Sequence, residues 1–125
     1  ELVARVKALL RRARPSLLQD VLEFHGLTLN PETMRVERDG DLIHLGAKEF
    51  RLLSVLIERP ERVFSREQLL DMVWGHGVYV EERTVDVHMS RLRRALNRRA
   101  NGGKNRPDII RTVRGTGYSL SRPID

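Results

Sequence analysis

Arg83, Arg91, Arg94 and Arg98 recur on one face of a helical period, with Val87 and Ser90 among them. A guanidinium fork pairs with phosphate oxygens or with the acceptor edge of guanine, and a valine can touch a thymine methyl. This pattern suits a helix lying in the major groove of DNA. It also suits a solvated basic helix. Catalysis has no comparable constellation. His25, His44, His76 and His88 lack HExxH spacing, there is no cysteine, and no G-x-S-x-G or Walker sequence occurs. The expectation is a binding module, not an enzyme, with no cofactor and no metal.

The charge is localised. Residues 83–114 hold ten Lys/Arg against two Asp/Glu, while the remainder holds 13 against 15, within a formal net charge of +6. A surplus confined to a quarter of the chain points to a polyanion more strongly than overall basicity does. The 125 residues suit one domain with a tail. No apolar run approaches the ~18 residues of a membrane span, and no signal peptide is visible. A cytoplasmic protein fits.

The elements that must position these arginines follow from periodicity. Within Glu81–Arg99, Val85, Met89, Leu92 and Leu96 share a narrow sector opposite the arginines, the buried stripe of an amphipathic helix. Upstream, Val21–Phe24, Leu27–Leu29, Met34–Arg38 and Asp41–Leu45 read as short strands, with a hairpin turn at Asp39-Gly40. They form a small antiparallel sheet with one wet face. Gly46–Arg59 reads as a mostly buried helix ended by Pro60. Ser65-Arg66-Glu67-Gln68 is a capping box opening another helix, closed by Trp74-Gly75. After the basic helix, a Gly-rich loop leads to strands Ile109–Val113 and Tyr118–Leu120 around the turn Arg114–Gly117. A helix–connector–helix pair followed by a β-hairpin is the plan of a winged helix, an α+β fold whose second helix enters the groove. Winged helices also bind protein or RNA, so fold alone leaves those readings open.

The first 14 residues, ELVARVKALLRRAR, form an amphipathic pattern stopped by Pro15. Without Trp or Phe anchors it suits a membrane surface poorly. Residues 1–19 read as the last helix and linker of an upstream domain, and 20–125 as the winged-helix domain. Because the chain opens on Glu1 inside a helix, it reads as a fragment.

An ordered set of segments carries a family resemblance: EFRLL at 49–53, SREQLL at 65–70, Val73-Trp74, RTVDVH at 83–88, RLR at 91–93 and TVRGTGY at 112–118. Over residues 22–122 the chain resembles the DNA-binding effector domain of OmpR/PhoB-type bacterial response regulators. Residues 1–12 resemble the end of the receiver domain that precedes it. The segment WGHGVYVEERTVDVH at 74–88 is nearest to the phosphate-starvation branch. The resemblance implies an N-terminal four-stranded antiparallel sheet, three helices and a C-terminal hairpin wing. It implies sequence-specific binding to double-stranded promoter DNA as tandem head-to-tail protomers on direct repeats. Control would come from a sensor histidine kinase through the receiver domain.

Residue roles follow from that alignment. Arg91 is expected to read a base edge and Val87 a thymine methyl. Arg83, Thr84, His88, Arg93 and Arg94 would contact phosphates or flank the readers; His88 also suits a helix-flank position without a role. Ser90 stands where the phosphate-starvation branch carries arginine, which puts one phosphate contact in doubt. Arg114, at the wing tip, suits a narrow minor groove, with Thr112, Gly115, Thr116 and Tyr118 beside it. Gly115 and Gly117 suit turn geometry. Trp74 suits either core packing or, by resemblance, a phosphate contact through its indole N–H. The loop Gly75–Val80 with Glu81 and Glu82 resembles a segment touching the RNA polymerase sigma subunit; the acidic pair equally suits the helix N-terminus.

Overall fold

The computed structural model describes residues 21–75, 80–99 and 101–123. The expected upstream helix and linker at 1–19, and residues 76–79 of the expected sigma-contact loop, lie outside the described residues.

Strands β1 (Leu22–Phe24), β2 (Leu27–Asn30), β3 (Arg35–Arg38) and β4 (Asp41–Ile43) form an antiparallel meander in sequence order. Its tight turns use left-handed residues, His25-Gly26 and Asp39-Gly40, the backbone that two-residue hairpins require. The register sets Leu22, Leu29, Val36 and Ile43 side by side, and Phe24, Leu27, Arg38 and Asp41 in the next row of that face. Alternation leaves Glu23, Thr28, Glu37 and Leu42 on the other face, where Leu42 is exposed.

Arg38 therefore points inward, and it is buried. Its guanidinium donates to the Leu96 carbonyl at 2.9 Å, to Asn97 Oδ1 at 2.8 Å and to the Pro107 carbonyl at 2.6 Å. Arg106, also buried, donates to the Arg98 carbonyl at 2.8 Å and pairs with Asp39 and Asp41 at the β3–β4 turn. Its backbone N–H donates to the Asn97 carbonyl at 2.7 Å. A helix end leaves its last carbonyls without partners inside the helix. Here two arginines supply them, and cations at that end also suit the helix dipole.

Helix α1 (Ala47–Glu58) buries Phe50, Leu52, Leu53, Leu56 and Ile57. Helix α2 is an α-helical turn (Arg66–Leu69) continued by a π-helical segment (Leu70–Trp74). The capping box is realised: Ser65 accepts from the Gln68 N–H at 3.0 Å, and Gln68 accepts from the Ser65 N–H at 2.9 Å. Gly75, at φ 101°, ends the π segment.

Helix α3 (Glu82–Asn97) has 16 residues, about 24 Å at the usual rise. Val85, Met89, Leu92 and Leu96 are all fully buried. They close a core with the inner face of the four-stranded sheet, α1, and strands β6 (Ile110–Val113) and β7 (Gly117–Leu120). The hairpin is not alone. A two-residue strand β5 (Phe64–Ser65) pairs with β7, giving a three-stranded sheet of order β5-β7-β6. This corrects the reading of Gly117 as a turn glycine. A Cβ there would meet the Phe64 carbonyl oxygen at 1.9 Å, so close approach of β5 requires glycine. Gly115, at φ 74°, is the turn glycine.

Candidate nucleic-acid interface

The apolar stripe rotates α3 so that its other face looks outward. On that face Arg83, Ser90, Arg91, Arg94 and Arg98 are exposed, and Val87 retains 46% of its surface. Arg83, Arg94 and Arg98 form no ion pair or side-chain hydrogen bond among the described residues. A row of unpaired guanidiniums around an exposed valine presents donors and one apolar spot to whatever lies against it.

The two flanks of α3 are built differently. On the wing side, Arg93 is turned inward to β6. It donates to the Ile110 carbonyl at 2.7 Å and to Thr112 Oγ1 at 2.8 Å, and pairs with Asp108 at 3.0 Å. Its guanidinium thus fixes the wing to the helix, and Thr112 is its acceptor. Asp86 does the same one helical flank away. It accepts from Arg66 Nε at 2.8 Å and from the Tyr118 hydroxyl at 2.6 Å, tying α2, α3 and β7 together. Burial would raise the Asp86 carboxyl, but the bonds from Tyr118 and Arg66 outweigh it and hold its pKa below the usual value. Tyr118 itself is pushed up, by burial and by donating to Asp86. The sequence groups Tyr118 with the wing residues; all of β7 is buried as the central strand of its sheet, and the Tyr118 ring with it.

On the other flank, Glu49 of α1 reaches α3. The carboxylate is largely enclosed and lies 2.8 Å from His88 Nδ1 and 3.9 Å from Arg91 Nη1. Gly46 leaves room for it, since a Cβ there would meet Glu49 Oε1 at 2.5 Å. Burial would raise the Glu49 carboxyl, but the His88 bond, its own backbone N–H and the charges of His88 and Arg91 hold its pKa down. His88 lies on the helix flank with Glu49 as its partner. It is anchored through Nδ1, and its ring lies 5.3 Å from that of Trp74. Trp74 is half-buried against the core edge, with Lys48 Nζ 5.5 Å from its ring centre. Thr84 is half-buried on the same helix.

At the wing tip Arg114, Gly115 and Thr116 are all exposed, and the Thr116 N–H closes the turn on the Val113 carbonyl at 2.9 Å. Arg114 has no ion pair among the described residues. At the start of α3, Val80 is half-buried and Glu81 and Glu82 are exposed. Glu81 is the N-cap residue, without a side-chain capping bond.

Sequence reasoning missed Glu49, Arg66 and Asp86 as organisers of the surface. Asp86 carried a signal, being the single carboxylate beyond the first turn of a basic helix. Glu49 carried none beyond its first-turn position, because its partner lies 39 residues away.

Residues 40–120 match the family described as "Transcriptional regulatory protein, C terminal". The chain is 58% identical over 120 residues to the phosphate regulon transcriptional regulatory protein PhoB of Rhizobium meliloti, covering 96% of this chain and 51% of that protein. It spans about half the length of the curated relatives it matches. Among solved structures it is similar to DrrB of Thermotoga maritima, an OmpR/PhoB homologue, at 34% identity and a TM-score of 0.71, covering 97% of this chain and 51% of that one. It is similar also to the Klebsiella pneumoniae RstA DNA-binding domain in complex with the RstA box, at 31% identity and a TM-score of 0.67, covering 81% and 96%. This chain belongs to the transcriptional regulatory protein C-terminal family, the winged-helix effector domains of OmpR/PhoB response regulators.

Proposed function

We propose that this chain is the DNA-binding part of a PhoB-like response regulator, with α3 in the major groove and the wing in the minor groove of promoter DNA. The observation that carries this reading is the outward face of α3, where Arg83, Arg94 and Arg98, unpaired among the described residues, share the surface with Arg91 and an exposed Val87. Folding has no use for that face; a groove lined by phosphates and base edges does. Arg91 reads a base, Val87 meets a thymine methyl, and Arg83, Thr84, His88 and Arg94 take phosphates. Arg114 enters the minor groove beside Thr112, Gly115 and Thr116. Trp74 borders a phosphate.

The likeness to PhoB supports phosphate-starvation genes as targets, with tandem head-to-tail protomers on direct repeats. It also supports a cytoplasmic bacterial protein governed by a sensor histidine kinase through a receiver domain. The carboxylates of Glu81 and Glu82, exposed and without a side-chain partner among the described residues, suit with Gly75 and Val80 contact with the RNA polymerase sigma subunit. Among the described residues no helix is long and apolar enough to cross a membrane.

The test is fluorescence anisotropy on a direct-repeat duplex and its scramble at two salt concentrations. A preference of about tenfold or more, with a log–log salt slope near −4 to −5 for ~5 neutralised phosphates, is expected. Equal weak binding to both duplexes would point to a different operator. No binding to either would favour a protein-interaction role.

A further inference from the structure

Between the C-terminal half of α3 and strand β4 runs an open groove of about 390 Å³. Leu42, Ile43 and His44 line it from β4 and its end, and Arg91, Arg94, Ala95 and Arg98 from α3. The carboxylate among its lining residues, Asp41, is already paired with Arg106. Arg94 and Arg98 have no acceptor among the described residues. The groove thus holds uncompensated positive charge along the edge of the outward face of α3, to which Arg94 and Arg98 belong.

Its position matters as much as its charge. A helix with side chains is ~10–12 Å across, close to the ~12 Å width of the major groove. Both sugar–phosphate strands then pass along the flanks of such a helix. One flank carries the wing, fixed through Arg93. The other flank is this groove.

We propose that the α3–β4 groove seats the sugar–phosphate backbone of the strand facing away from the wing, with Arg94 and Arg98 as its phosphate ligands and His44 at its outer wall. The proposal rests on the reading of α3 as a DNA-reading helix. It makes the domain a two-sided clamp, in which β4 of the N-terminal sheet borders the DNA.

The salt slope of duplex binding, measured for Arg94→Ala, Arg98→Ala and the double variant, tests this. Each variant should flatten the log–log slope by about 0.9, and the double variant by nearly 2. Arg35→Ala removes the same charge from the exposed position on β3 and should leave the slope unchanged. Neutral methylphosphonates, placed one at a time along both strands, should weaken the wild-type chain at a position on the strand away from the wing. They should no longer do so with the double variant. Slopes equal to wild type, or flattened as much by Arg35→Ala, would overturn the groove assignment. So would a loss seen on tandem repeats but absent on a single half-site, since that would place a second copy of the chain there. Failure of the wild-type chain to bind any duplex would remove the DNA reading itself; binding with unchanged variant slopes would remove the groove alone.

Discussion

Two populations of arginine divide this molecule. At the seam between the four-stranded sheet and the end of α3, Arg38 and Arg106 are buried; the terminal nitrogens of Arg38 donate to two carbonyls and the Asn97 amide, and Arg106 to a carbonyl and two carboxylates. On the outward face of α3, Arg83, Arg94 and Arg98 are exposed and hold no acceptor among the described residues. Basic composition thus does not by itself mark a binding surface. What marks it is guanidinium left unpaired by the fold.

The sharpest way to break the comparison is at the seam. Arg38→Ala leaves the Leu96 and Pro107 carbonyls and Asn97 without their donor, and should cost on the order of 3 kcal/mol in urea unfolding. A cost below about 1 kcal/mol would mean that water replaces it freely. Tyr118→Phe removes one hydrogen bond to the Asp86 carboxylate and should cost about 1.5 kcal/mol, read by the same unfolding curves. Glu49→Gln should loosen Arg91 and reduce discrimination between sites several-fold. The salt slope should hold, because Glu49 touches no phosphate; a changed slope would contradict its positioning role. The smallest effect on folding belongs to the outward face. Arg94→Ala should change stability by less than about 0.5 kcal/mol yet weaken binding to every duplex alike.

Acid offers a separate handle. Glu49 and Asp86 both titrate lower in the folded chain than their ordinary values. The unfolded chain therefore takes up protons first as pH falls. Their stabilisation is complete above the ordinary carboxyl pKa of about 4 and is lost as pH drops through the folded values. Thermal melts should show Tm declining through that window, with a shallower decline for Asp86→Asn.

Local pattern carried the legible part of this structure. The buried stripe of α3, the Ser65–Gln68 capping box and the Asp39-Gly40 turn each depend on residues within a few positions, and each formed as their spacing implies. The outward row of arginines was legible for the same reason, being the complement of the stripe. The illegible part is non-local. Arg38 shares the inner row with Leu27, yet nothing near it in sequence announces the Leu96 carbonyl 58 residues away. Arg93 reads as one more basic residue until β6 supplies its acceptors. Tyr118 looks like a wing residue until β5 and Asp86 enclose it. Periodicity says which way a side chain points along its own element, not what will stand opposite.

The outward face of α3 is proposed to read base sequence, with Arg91 as its reader. The ratio of affinities for the direct-repeat duplex and its scramble, measured for the wild-type chain and Arg91→Ala, tests it most directly. The ratio should fall roughly 5- to 150-fold in the variant, the equivalent of one lost bidentate base contact, while Tm stays within a degree or two. An unchanged ratio, with both duplexes weakened equally, would make Arg91 a phosphate ligand and contradict the claim.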